Sequence, residues 1–176
     1  MICSSPEICA HRINADPANF VLGEPGLIAP DSPEGKAAAA EIQRDFAAAE
    51  AAAEEGDVTR AAVLLFNAVM GDSGAFSKIP PERQQRWLDN AKTIGLMFAG
   101  SGPRPLTCEE LRSMKVSALV LGGETSRANF RLANDRLMTC LPEGTECAVI
   151  PNAPHLYAPA NPEGTARAIL TFVAKH

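Results

Sequence analysis

The chain has few aromatic residues: Phe, Trp and Tyr make up 5% of its 176 positions, with one Trp and one Tyr. A core built from it must therefore rest on Ala, Leu, Ile and Val packed closely, since the large contact areas that rings supply are scarce. Long apolar runs are also missing. The longest, Ala61 to Phe66 and Val116 to Leu121 (interrupted by Ser117), fall far short of the ~20 residues that cross a bilayer. No run of Lys or Arg forms a basic patch, and a net charge of −5 argues against nucleic acid or an anionic membrane surface as partner. The first residues, Met1-Ile2-Cys3-Ser4-Ser5-Pro6-Glu7, have neither a basic start nor an apolar core and predict no signal peptide. Cysteines number five, an odd and irregularly spaced set, which predicts reduced thiols in a cytoplasmic protein. Cys140, Cys147 and His155 match no common zinc spacing, so neither a metal nor a cofactor is expected.

What is present reads as α/β. Asn19 to Gly23, Val116 to Gly122 and Glu146 to Ile150 are almost continuously apolar, as suits strands buried on both faces of a parallel sheet. One helix-sized segment separates the second from the third, and another follows the third, which is βαβα spacing with right-handed crossovers. Ser126 is the expected cap of a helix in which Phe130, Leu137 and Leu141 share a face and which Pro142 ends. Asn161-Pro162 opens a final helix, with Ala166, Ile169, Leu170 and Val173 as its expected buried stripe. Thr107-Cys108-Glu109-Glu110 has the pattern of a capping box.

Between the first and second strands lies an all-helical insertion, residues 31–105, far longer than an ordinary crossover. Ser32-Pro33 starts this insertion, and the alanine-rich stretch from Lys36 to Glu55 is strongly helix-forming, with Ile42 and Phe46 on one side. Gly56 stops it, and Asp57 caps a second helix whose core face takes Ala61, Leu64, Leu65 and Ala68. A third helix is expected after Pro80-Pro81, with Trp87, Ala91, Ile94 and Phe98 along one side. This helical pair occurs once, with no 34-residue period behind it, so a tetratricopeptide array is excluded. Most of the apolar stripe residues, among them Leu64, Leu65, Phe66, Met97 and Phe98, read as plain core; Phe76 and Trp87, which flank loops, are the expected exceptions that could face a ligand.

Three stretches in this order carry a resemblance. Asn19-Phe20-Val21-Leu22-Gly23-Glu24-Pro25 resembles the sixth strand of the α/β-hydrolase superfamily running into its lid, in the esterase, lipase and haloalkane-dehalogenase-like branches. Val116 to Glu124 resembles the seventh strand and its turn, and Glu146 to His155 the eighth strand and the histidine loop. The resemblance covers nearly the whole chain but only the back half of the family's fold. It implies a partial α/β-hydrolase fold: a three-stranded parallel sheet with flanking helices and a helical lid insertion, residues 1–176 forming one domain. It also implies that His155 is the general base, because an imidazole can take and return a proton near neutrality. The acid that orients it is Glu24, directly after the sixth-strand match, or Glu124, after the seventh, where Ser126 occupies the position at which many relatives hold an aspartate. Glu24 is favoured.

No Gly-x-Ser-x-Gly elbow occurs in the chain. Cys3, Ser4 and Ser5 precede an expected helix (Pro6 to Ile13) near where the elbow would lie, but no glycine there permits its tight turn. Gly71-Asp72-Ser73-Gly74 echoes a serine-protease nucleophile loop, yet reads as a turn that stops a helix. The expected function is thus that of a hydrolase-family protein, for esters or related substrates, without the nucleophile-bearing half and inactive by itself. The alternative is a non-catalytic binding or interaction module. A small apolar or ester ligand is the expected partner, and the expected assembly is a homodimer, with the Phe20-Val21-Leu22 strands paired antiparallel or lid helices exchanged between subunits.

Overall fold

A computed structural model of the chain describes residues 19–99 and 104–176. Cys3, Ser4, Ser5 and the helix expected at Pro6 to Ile13 lie outside the described residues. Three strands form one parallel sheet in the order β1-β2-β3, with β1 at Asn19–Gly23, β2 at Ser117–Gly123 and β3 at Glu146–Ile150. The second begins and ends one residue later than its apolar run suggests. Every residue of β2 after Ser117 is buried, as a central strand covered on both faces requires, whereas Val21 on β1 and Val149 on β3 stay exposed along the two outer strands.

The chain divides into two compact units: the sheet with the helices around it, and the helices within Asp31–Gly102 together with Arg127–Asn129. The second unit holds α1 (Pro33–Glu54), α2 (Val58–Met70), α3 (Ala75–Lys78), α4 (Pro81–Leu88) and α5 (Lys92–Ala99). Ser32 caps α1 through Gly35 N, and Asp57 caps α2 through Arg60 N, each at 3.0 Å. Buried alanines face one another across these helices, Ala49 and Ala52 on α1 against Ala61 and Ala62 on α2, which lets two backbones approach closely without large side chains. The helix expected after Pro80-Pro81 is instead two helices, parted at residues 89–91. There Asn90 Nδ2 donates to Arg86 O, and Ala91 N reaches back only three residues to Leu88 O, tightening the turn. Phe76 is buried rather than free to face a ligand, and both Phe76 and Trp87 pack edge-on against Phe66, with Trp87 Nε1 donating to Ala62 O.

In the sheet unit, α6 (Cys108–Arg112) leads into β2, α7 (Ala128–Cys140) joins β2 to β3, and α8 (Tyr157–Ala160) and α9 (Pro162–Val173) follow β3. The capping box of α6 is formed in both directions between Thr107 and Glu110. Two sequence expectations fail here. Ser126 does not cap α7, which begins two residues later; its hydroxyl is buried and has no hydrogen-bond partner among the described residues. In α9 the buried positions are Thr165 and Phe172, with Ala168 and Ile169 packed beside them, while Leu170 and Val173 are exposed. Phe172, the largest fully buried side chain among the described residues, sets the rotation of that helix and leaves Leu170 and Val173 of the expected stripe outward.

The expectation of reduced thiols is also corrected. Cys108 and Cys140 form a disulfide, with Cα atoms 4.8 Å apart. Leu111 of α6, Leu137 of α7 and Val120 of β2 share one core cluster, and that packing brings together two cysteines 32 residues apart in sequence. The cytoplasmic expectation leaned on free thiols and loses that support. Among the described residues, no helix is long and apolar enough to cross a membrane.

Candidate functional site

Because the strands are parallel, their C-terminal ends share one edge, and the loops leaving them meet there. The ladder continues one residue past β1, since Glu24 N donates to Leu121 O at 3.1 Å. Glu24 then takes φ 41°, a left-handed conformation that costs a glutamate energy and persists only where the surroundings enforce it. The consequence is a carboxylate turned inward, its side chain 1% exposed. Glu24 Oε1 accepts from Gly123 N at 3.0 Å, and Glu24 Oε2 lies 2.5 Å from His155 Nδ1. A carboxylate can only accept, so Nδ1 carries the proton.

Glycine at position 123 is what lets the histidine loop come this close. A Cβ there would lie 2.3 Å from Pro154 O and 2.4 Å from Ala153 O, so the loop backbone rests directly on the end of β2. Hydrogen bonds then fix the loop. Glu124 N donates to Ile150 O and Thr125 N to Ala153 O, while Glu124 Oε2 accepts from Asn152 N at 2.6 Å. Asn152 itself sits at φ 53°, a conformation that asparagine tolerates. At Gly23 a Cβ would meet the Tyr157 hydroxyl at 1.8 Å, so that ring uses the space the glycine leaves at the end of β1. Burial pushes the Tyr157 phenol above its ordinary value, and the nearby charge of Glu24 adds to the effect. Phe130 of α7 lies flat against the imidazole of His155, ring centres 3.8 Å apart and planes 15° from parallel.

Of the residues singled out from sequence, the structure thus brings Glu24 and His155 together. Glu124 secures the turn before His155 and does not pair with the imidazole. Ser126 sits after that strand with its hydroxyl buried and, among the described residues, unpartnered. Cys140 is taken up by the disulfide, and among the described residues no three His, Cys, Asp or Glu side chains gather as metal ligands. Gly71-Asp72-Ser73-Gly74 is the end of α2, with Gly71 left-handed at φ 68° and Asn67 bonding both Ser73 O and Phe76 N. Sequence reasoning missed Phe130, which it assigned to the helix core, and the part played by Gly123. The signals were available: a Gly-Gly pair at a strand end permits close backbone approach, and the first turn of a helix after β2 starts at the same edge as the histidine loop.

No protein-family model matches the chain, and no curated protein matches it in sequence. Solved structures do. The crystal structure of carboxylesterase CesB (YbfK) from Bacillus subtilis is 23% identical, with 90% of this chain aligned to 52% of that one and a TM-score of 0.60. The fold is a partial α/β-hydrolase fold. NosK from Streptomyces actuosus aligns over 90% of this chain and 58% of its own at 19% identity, with a TM-score of 0.46. The chain spans somewhat more than half the length of these two structures.

Proposed function

We propose that this chain carries the general-base side of a carboxylic-ester or related hydrolase site, with His155 as base and Glu24 as the acid that orients it. The observation that carries this reading is the pair itself: a buried carboxylate 2.5 Å from His155 Nδ1, at the edge of a parallel sheet where the loops converge. With Nδ1–H held on Glu24, the lone pair of Nε2 is the one that can accept a proton. His155 would take it from an attacking hydroxyl or thiol and return it to the leaving alcohol, and Glu24 would stabilise the imidazolium between those steps. The fold shared with a carboxylesterase supports the ester class as substrate. The nucleophile and the oxyanion-binding loop are not among the residues assigned, and they supply most of the rate enhancement. The chain by itself is therefore proposed to be inactive, and the outer edge of β1, at Phe20-Val21-Leu22, is where a second copy would pair, burying more than about 2,000 Å² in a permanent dimer.

Two measurements test the reading. The purified chain should hydrolyse short p-nitrophenyl esters no faster than background and should take no adduct from a fluorophosphonate probe. Turnover that disappears in His155→Ala would show that the chain holds its own nucleophile, directing attention to Cys3, Ser4 and Ser5, and would overturn the inactivity while leaving the base role intact. Light scattering at micromolar concentration should return a dimer, and a stable, folded monomer would remove the edge-paired assembly.

A further inference from the structure

The hydrogen bond to Glu24 fixes one atom of the imidazole but does not by itself fix the plane of the ring. His155 is joined to the chain through a single bond at Cγ, next to Nδ1, and rocking about that bond tilts Nε2 while only stretching the contact with Glu24. The side chain is also 22% exposed, against 1% for Glu24, so water reaches part of the ring. Phe130 answers both points. Its ring centre is 3.8 Å from that of the imidazole, with planes 15° from parallel, which bars rocking toward that side and denies water one whole face. It does so from a firmly held position. Phe130 stands in the first turns of α7, whose Asn134 Nδ2 donates to Leu121 O at 3.1 Å in the buried end of β2, and whose last residue is tied by the disulfide to α6. Among the described residues His155 Nε2 has no hydrogen-bond partner, so a ring held at Nδ1 on its edge and by Phe130 on its face leaves Nε2 as the free nitrogen.

We propose that Phe130 is the positioning residue of His155, holding the plane of the imidazole and shielding its bond to Glu24 from water so that proton traffic is confined to Nε2. The proposal rests on the reading of His155 as general base. It is tested by proton and nitrogen NMR of the full chain, which requires no catalytic turnover. In the unsubstituted protein, the carbon-bound ring protons of His155 should lie upfield, over the Phe130 face, and its Nδ1–H should give a low-field signal slow to exchange with water. In Phe130→Leu the upfield shift should vanish and the Nδ1–H should exchange faster by roughly two- to tenfold, the range an aromatic pair of this kind supports. Phe130→Tyr, which keeps the ring, should restore both. Unshifted His155 ring protons in the unsubstituted protein, or unchanged exchange in Phe130→Leu, would overturn the proposal. Should Phe130→Leu fail to fold, the unsubstituted spectrum and Phe130→Tyr still decide it. Glu24→Ala, which leaves no oxygen to accept from Nδ1, separates the two claims. Survival of the low-field signal in that variant defeats the base reading itself, whereas its loss there alongside unchanged exchange in Phe130→Leu defeats only the role given to Phe130.

Discussion

His155 and Glu24 meet at the C-terminal edge of the sheet, and His176 and Glu146 meet at the other, where β2 and β3 begin. The residue types are the same and the circumstances are not. In the first pair the carboxylate is 1% exposed, also holds a backbone N–H, and sits 2.5 Å from an imidazole stacked under Phe130. In the second the carboxylate is 31% exposed, lies 3.2 Å from the imidazole and is shared with Lys175 Nζ, while the other ring nitrogen faces Ser117 Oγ. A serine, a histidine and a glutamate in line thus occur at the edge where they form a surface clasp. At the C-terminal edge, among the described residues, the line holds a histidine and a glutamate, His155 and Glu24. Residue identity does not separate these sites. Burial, backbone donors and a fixed ring plane do, because a partner in water is worth little and a partner removed from a buried group is costly.

The largest effect should come from reducing the disulfide. Releasing a link between positions 32 apart removes about 3–4 kcal/mol in the chain-entropy account. Because α7 carries Phe130, reduction should also disturb the NMR signals of His155 and leave those of His176 in place. Equal disturbance at both histidines would mean that α7 does not distinguish the two edges. Next in size, Glu24→Ala strands the Gly123 N–H and the His155 Nδ1–H in a buried place and should cost about 2–3 kcal/mol in urea unfolding. Glu146→Ala, which breaks pairs held in contact with water, should leave the urea midpoint almost unchanged. Similar values for the two would erase the comparison.

The smallest effect concerns acid. The hydrogen bond from Lys175, then that from His176, holds the Glu146 carboxyl below its ordinary value. A carboxyl whose folded value is depressed contributes its stability above the unfolded value, and that contribution is lost as pH falls from about 4.5 downward. The clasp should therefore open on acidification below that point, with the His176 ring signals moving to those of a free side chain while the protein remains folded. Glu110 gives an internal reference. Arg104 first, and then the Thr107 backbone and side chain, hold it down to about 2, so the α6 capping box should outlast the clasp on the same titration. Simultaneous loss of both would contradict the assignment.

The sheet could be read from the sequence because its strands are short, apolar and bounded by turn residues, and parallel pairing follows from the helix-sized gaps. The capping box and the Asp57 and Asn161 caps were legible for the same local reason, each being a side chain bonding an N–H three residues on. Ser126 looked like another cap, but its backbone is engaged by Gly123 O and Arg131, and α7 starts later. The face of α9 was misread because four apolar residues fit a helical stripe, whereas the bulk of Phe172, one position away, chose the rotation. Glu24 and His155 could be named from a resemblance, but 131 residues separate them and nothing local predicts their contact. The stack of Phe130 and the disulfide are likewise tertiary facts, set by where α6 and α7 pack on β2.

The tautomer of the two imidazoles tests the central claim most directly. Neutral His155 should carry its proton on Nδ1, held there by Glu24, and long-range nitrogen–proton spectra should show that form alone. His176, in contact with solvent, should show a mixture. Finding His155 protonated mainly on Nε2 would contradict the account, because a ring protonated there has no lone pair to offer an attacking hydroxyl or thiol.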